Sequence, residues 1–202
     1  MVFDYCAQTV GSDDRVAVYQ KSDILIAVVA DGAGGMSGAS EAADYFLKLV
    51  QKKILTAANY INDRYCCQML LEVDSLLYKH PIAGETTGII AVINNNCIVG
   101  ASVGDSEAYL ISNKSWQLTE HQYRKPLLGS GAAIPIAFGP INLDGTLILG
   151  SDGLFKYADF GEISHIIKSS QPKEGILRLF DLLRLPSGSF MDDVAVIIAK
   201  PK

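Results

Sequence analysis

Residues 24–30 form an unbroken aliphatic run that stops at Asp31-Gly32, a pattern that predicts a buried strand closed by a polar turn. Ahead of it, residues 15–20 alternate apolar and polar side chains, and Lys21-Ser22-Asp23 supplies a hairpin turn between the two segments. From residue 37 to about residue 57 the period becomes helical, with Ala42, Ala43, Phe46, Leu47, Leu49, Val50 and Ile54 on one broad apolar face. A second helix is predicted over about 62–79, carrying Met69, Leu70, Val73, Leu76 and Leu77, and His80-Pro81 ends it.

The centre of the chain is rich in strand pattern. Residues 86–93, 97–103 and 108–112 read as three strands, joined by a hairpin signal at Asn94-Asn95-Asn96 and a tight turn at Gly104-Asp105-Ser106. Residues 120–135 hold Pro126, Gly129, Gly131 and Pro135 with little periodicity, which predicts a long surface loop. A strand at 144–150, helices near 159–169 and 172–184, and a last strand at 193–199 complete the chain. No internal repeat or low-complexity segment interrupts it. Strands at both ends with helices between them predict a single α+β domain over 1–202, its sheets packed face to face under helices.

Composition narrows the function classes. Apolar residues make up 49% and charged residues 19% of 202 positions, the balance of a folded globular chain. A formal net charge of −5 speaks against nucleic acid as the main partner, and neither Trp116 nor the nine tyrosines are placed for base stacking. No stretch reaches the roughly 18–20 apolar residues of a membrane span, and the first residues show no secretory leader. Cys6, Cys66, Cys67 and Cys97 lack C-x-x-C spacing; the adjacent Cys66-Cys67 pair reads as core thiols, and a reducing cytoplasm is the expected setting.

Three aspartates change the picture from a fold to a site. Asp31 ends the first aliphatic run, Asp152 follows residues 146–150, and Asp192 precedes the run that starts at Val194. A carboxylate beside buried aliphatics is costly to keep ionised unless a cation or hydrogen bonds compensate it. Asp-Gly is a common turn dipeptide, and Ser151-Asp152 is also a helix-capping pattern, but neither explains Asp192. Oxygen-only ligation suits hard cations such as Mg or Mn. The glycines of Asp31-Gly32-Ala33-Gly34-Gly35 only approximate a dinucleotide-binding turn, and an aspartate in front of them opposes a pyrophosphate.

Six segments, in order, resemble the metal-dependent protein phosphatases of type 2C. They are Asp13-Asp14, Asp31-Gly32-Ala33-Gly34-Gly35, Gly84-Glu85-Thr86-Thr87, Gly104-Asp105-Ser106, Ser151-Asp152-Gly153-Leu154 and Asp192-Asp193; Thr119-Glu120-His121 is similar to a further family segment. The resemblance implies a four-layer α-β-β-α sandwich of two antiparallel sheets flanked by helices. It also implies hydrolysis of phosphoserine and phosphothreonine on proteins by a water activated between two Mn or Mg ions. In that family Asp31 would bridge the cations, with the Gly32 carbonyl on one of them, and Asp152 and Asp192 would complete the shell. Asp14 would hold or orient metal-bound water, and Asp13 would act beside it. Asp193 falls where the family usually has Asn and receives no ligand role.

The chain departs from the family pattern at several points. Thr9 stands where an Arg often clamps the substrate phosphate, leaving Arg15, Arg124 or Lys125 as substitutes. Ala33 and Met36 occupy places where many members carry a His, and His80, His121 and His165 read as loop or helix-surface residues. Asp105 is kept, but Lys156 replaces the aspartate that would share a third metal with it, so an ion pair between Lys156 and Asp105 is expected. Glu107 stands in place of the usual Arg. The chain has no room for a large insertion beside the site, which is similar to small bacterial regulatory phosphatases. The alternative reading is a catalytically weak or silent relative that acts as a protein-binding regulator.

Overall fold

Two antiparallel sheets, stacked and each covered by helices, carry the chain in a computed structural model that describes residues 2–21, 23–34, 37–56 and 61–202. The strands are β1 (Phe3–Val10), β2 (Asp14–Lys21), β3 (Ile24–Asp31), β4 (Gly88–Asn94), β5 (Cys97–Val103), β6 (Glu107–Ile111), β7 (Ser115–Gln117), β8 (Ile136–Asn142), β9 (Thr146–Gly150) and β10 (Val194–Pro201). The helices are α1 (Ala39–Thr56), α2 (Asp63–Tyr78), α3 (Asp152–Phe155), α4 (Phe160–Ser169) and α5 (Pro172–Leu183). One sheet runs β1-β10-β9-β6-β7 and the other β2-β3-β4-β5-β8, with every pair antiparallel.

Continuous aliphatic runs make sense in this architecture because the central strands are buried on both faces. In β3, Leu25, Ala27 and Val29 point into the layer between the sheets, where they meet Leu147, Leu149, Ala195 and Ile197. The alternate residues Ile26, Val28 and Ala30 pack outward against Phe46 and Val50 of α1 and Leu70 and Leu77 of α2. On the far side, Ile148, Val196 and Ile198 pack against Ile163 of α4 and Ile176 and Leu179 of α5. The expected four layers are therefore present, and α1 and α2 lie close to their predicted ranges.

Local chemistry sets the element ends. Asn62 caps α2 by accepting a hydrogen bond from Tyr65 N–H at 2.9 Å, and Asp159 caps α4 through Gly161 and Glu162 N–H. Asn95 and Asn96 both take positive φ, 48° and 61°, in the two-residue turn joining β4 to β5. The predicted turn at 21–23 includes Ser22, which lies outside the described residues, but β2 and β3 pair up to Lys21 and Ile24.

Two expectations need correction. The sequence pattern predicts no element over residues 136–142, yet they form β8 on the edge of the second sheet; Gly139 and Pro140 break the apolar pattern, and the pairing with β5 shifts register between Ile98 and Gly100. Residues 120–135 are not a simple surface loop either. Leu127 and Leu128 are buried, and the Asp74 carboxylate of α2 accepts hydrogen bonds from the N–H groups of Gly129, Gly131 and Ala133 at 2.8, 3.0 and 3.2 Å. No helix among the described residues is long and apolar enough to cross a membrane.

Candidate active site

Strand register brings the first two carboxylates together. Asp14 opens β2 and Asp31 closes β3, and the antiparallel ladder sets them directly opposite each other, a spacing at which like charges repel. The backbone around Asp31 is fixed from the neighbouring strand. Its N–H donates to Thr87 Oγ1 at 3.0 Å, and its carbonyl accepts from Thr87 N–H at 2.8 Å and Thr86 Oγ1 at 3.0 Å. Thr87 Oγ1 in turn lies 2.7 Å from Ser106 Oγ in the turn after β5. Both threonines lie just ahead of β4 and hold the Asp31 peptide in place. Gly32 is required by close approach: a Cβ there would stand 2.6 Å from the Ala39 carbonyl oxygen.

The other sheet supplies the facing group. Ser151 pairs with Ala195 through its N–H (3.1 Å to the Ala195 carbonyl) and its Oγ (2.9 Å from Ala195 N–H), which places Asp152 at the start of α3. Gly153 must be glycine because a Cβ would come within 1.9 Å of the Asp193 carbonyl oxygen. Asp192 lies just before β10, where its Oδ1 accepts from Asp193 N–H at 3.0 Å. Asp193 Oδ2 accepts from the N–H groups of Ser12 and Asp13, each at 2.6 Å, and so ties the start of β10 to the turn ahead of β2.

These segments enclose one cleft of about 930 Å³. Its walls contain the residues expected to hold metal or water, Asp13, Asp14, Asp31, Gly32, Asp152 and Asp192, but not Arg15 or Lys156. Asp105, Asp193, Glu85, Thr87, Arg124 and Lys125 line it as well. Glu85 was missed as a site residue; its position follows from a tertiary bond, Ala33 N–H to the Glu85 carbonyl at 2.9 Å, that no local pattern announces. Gly34 also lines the cleft, whereas Gly35 and Met36 lie outside the described residues.

The electrostatics are strongly one-sided. Burial, followed by the neighbouring carboxylates, raises the proton affinity of Asp31, and the Asp14, Asp152 and Asp105 charges add to it. Burial likewise raises Asp14, whose Oδ2 has no hydrogen-bond partner although the residue is only 2% exposed. Asp152 is raised by burial and by Asp105 and Asp192, and is lowered by Lys156 and Arg124. No Lys or Arg pairs with Asp14 or Asp31 among the described residues. A buried, unpaired carboxylate oxygen next to a second carboxylate is a donor set that fits a hard divalent cation. Among the described residues, no three His, Cys, Asp or Glu side chains already converge into a metal cage. Binding would therefore have to draw mutually repelling groups together.

Two expectations about cations are corrected. Asp105 pairs with Arg124, Nε to Oδ2 at 2.8 Å, and not with Lys156. Lys156 instead lies 3.9 Å from Asp152 one helical turn back, with its ammonium 4.9 Å from the Tyr157 ring centroid. Arg15 is committed elsewhere, its Nε to Asp44 at 2.7 Å and its Nη1 to the carbonyls of Ser12 and Asp14. Thr9 is exposed on β1, and neither it nor any of His80, His121 and His165 lines the cleft.

No family profile and no curated protein matches the chain. Solved structures do. A bacterial serine phosphatase superposes with a TM-score of 0.83 at 20% identity, covering 100% of this chain and 99% of the other. The serine/threonine phosphatase Stp1 from Staphylococcus aureus gives 0.81 at 19% identity over 100% and 96%. The catalytic domain of the serine/threonine phosphatase PstP, crystallised with two manganese ions, gives 0.78 at 18% identity over 98% and 97%. The fold is that of the bacterial metal-dependent serine/threonine phosphatases, along the full chain.

Proposed function

We propose that this chain is a metal-dependent protein phosphatase that hydrolyses phosphoserine and phosphothreonine with the help of two Mn or Mg ions. One observation carries the reading: Asp14 and Asp31 face each other across the β2–β3 ladder in a cleft to which the other sheet adds Asp152 and Asp192. Asp31, Asp152, Asp192 and the Gly32 carbonyl would hold the cations. Such a pair, when bound, supplies hydroxide near neutral pH and stabilises the charge of an in-line phosphoryl transfer.

The chain's own residues do the positioning. Asp14 Oδ2, which no protein donor meets, accepts the O–H of the attacking water and fixes its direction. Asp13 borders the same cleft one residue earlier and orients water beside it. Thr86, Thr87 and Ser106 keep the Asp31 peptide from rotating, so its carboxylate need not be reorganised during the reaction. The fold's likeness to phosphatases, one of them crystallised with two manganese ions, supports the choice of ions and a phosphoprotein substrate.

A binding role without turnover is the second reading, favoured by exposed Thr9 in place of a phosphate-clamping Arg and by the lack of a histidine in the cleft. Hydrolysis of para-nitrophenyl phosphate and of phosphoserine and phosphothreonine peptides separates the two. Activity is expected with Mn, none with chelator, and a loss of about 100-fold or more in Asp31→Ala. A protein that binds Mn by calorimetry yet hydrolyses none of these substrates would be a binder.

A further inference from the structure

Within the described residues the cleft is lined by eight carboxylates and by only two cationic side chains, Arg124 and Lys125. Two divalent cations would offset part of this charge, and a doubly charged phosphate ester entering the site still meets repulsion from the carboxylates that they leave uncompensated. Arg124 is placed to offset it. Its Nε donates to Asp105 Oδ2 at 2.8 Å, while its terminal nitrogens make no hydrogen bond to any described residue. The side chain is 79% exposed and borders both the acidic cleft and an adjoining pocket of about 360 Å³.

The segment that carries Arg124 is held from both sides. Gly104 N–H donates to the Tyr123 carbonyl at 3.2 Å, and Gln122 Nε2 donates to the Ser106 carbonyl at 2.7 Å. Asp105 lies between those two anchor points, so the guanidinium and its tether belong to one braced unit. Holding the group by Nε leaves the planar edge formed by Nη1 and Nη2, the geometry that grips two oxygens of one phosphate. The other cations are less suited. Arg15 spends its Nε and Nη1 on Asp44 and on backbone carbonyls, and Lys156 lines only the adjoining pocket. Lys125 offers a point charge without a fork.

We propose that Arg124 is the phosphate-binding residue of this site, its terminal nitrogens on two non-bridging oxygens of the substrate phosphoryl group while Nε stays on Asp105. The assignment rests on the phosphatase reading of the cleft. It makes Asp105 a positioning residue for the substrate rather than part of the water-activating set.

Arg124→Ala and Arg124→Lys, compared with wild type in saturating Mn, test it. Three readouts are needed: kcat and KM for a phosphoserine peptide, inhibition by inorganic phosphate, and Mn affinity by calorimetry. Arg124→Ala should raise KM and weaken phosphate inhibition by about tenfold or more, and Arg124→Lys should recover only part of the loss. Mn affinity should not weaken, because removing a cation from Asp105 takes no ligand from the site. An active Arg124→Ala enzyme with wild-type KM and phosphate inhibition would overturn the proposal and leave the phosphatase reading standing. If wild type proves inactive, that reading fails instead. Calorimetric titration of the Mn-loaded proteins with the phosphopeptide then decides the role of Arg124, for which equal affinities of wild type and Arg124→Ala are the refuting result.

Discussion

Asp193 Oδ2 accepts the backbone N–H of Asp13 at 2.6 Å, joining two residues that the sequence separates by nearly its whole length. The same oxygen takes Ser12 N–H, and a Cβ at Gly11 would stand 1.9 Å from the Asp193 carboxylate. The turn that delivers Asp13 and Asp14 is therefore shaped around an acceptor from the other sheet. Charge-assisted hydrogen bonds of this kind contribute about 1.5–3 kcal/mol, less where water reaches them. Asp193→Ala should lower stability to urea by about 1–2 kcal/mol and reduce the proposed phosphatase activity with it. Asp193→Asn, which keeps an acceptor oxygen, should retain most of both. Equal behaviour of the two variants in urea denaturation would dismiss the anchoring role.

Asp14 and Asp31 predict an unusual dependence of stability on pH. Burial raises both above the ordinary carboxylate value of 3.8, so the folded state holds these protons more tightly than the unfolded chain does. Their contribution is fully present below that ordinary value and is lost as pH rises through the raised folded values. Metal-free protein should therefore melt at progressively lower temperature as pH climbs above about 4 through the neutral range, and Asp31→Asn should flatten the trend. Mn should oppose it by binding the ionised form. Thermal melts across pH, with chelator and with Mn, measure each of these; a wild type whose chelated melting profile matches that of Asp31→Asn removes the argument.

Asp74 is a structural test independent of the cleft chemistry. It is 4% exposed and meets three N–H groups of the segment 129–133. Asp74→Ala leaves those donors without their acceptor and should cost about 2–4 kcal/mol, with Asp74→Asn costing less. Urea denaturation gives the value, and a loss under about 0.5 kcal/mol would show that water replaces the carboxylate.

Aspartates at strand ends were legible in the sequence because burial and charge conflict at a single residue. Asp31 after its aliphatic run is the clearest case, whereas the placement of Asp14 opposite it is visible only in the ladder. Strand β8 was hidden because Gly139 and Pro140 interrupt the alternation, while its partner β5 supplies the register. The burial of Leu127 and Leu128 was hidden for a similar reason: Pro126, Gly129 and Gly131 signal a loop, and nothing local reveals the Asp74 acceptor beneath it. Arg124 is one of the three cations, with Arg15 and Lys125, that the sequence offers in place of a phosphate-clamping Arg. Only the tertiary structure shows that Arg15 is spent elsewhere and that Asp105 chooses Arg124 over Lys156.

The apolar layer that Leu25, Ala27 and Val29 share with Leu149, Ala195 and Ile197 has a further meaning for the site. Asp14 and Asp31 travel with one sheet and Asp152 with the strands of the other, so the thickness of that layer sets the gap between the two halves of the acidic cluster. A substitution deep in the interior, far from any solvent, acts on the cleft like a spacer of altered width. The geometry of the cleft can therefore be tuned by mutation at positions that do not line it.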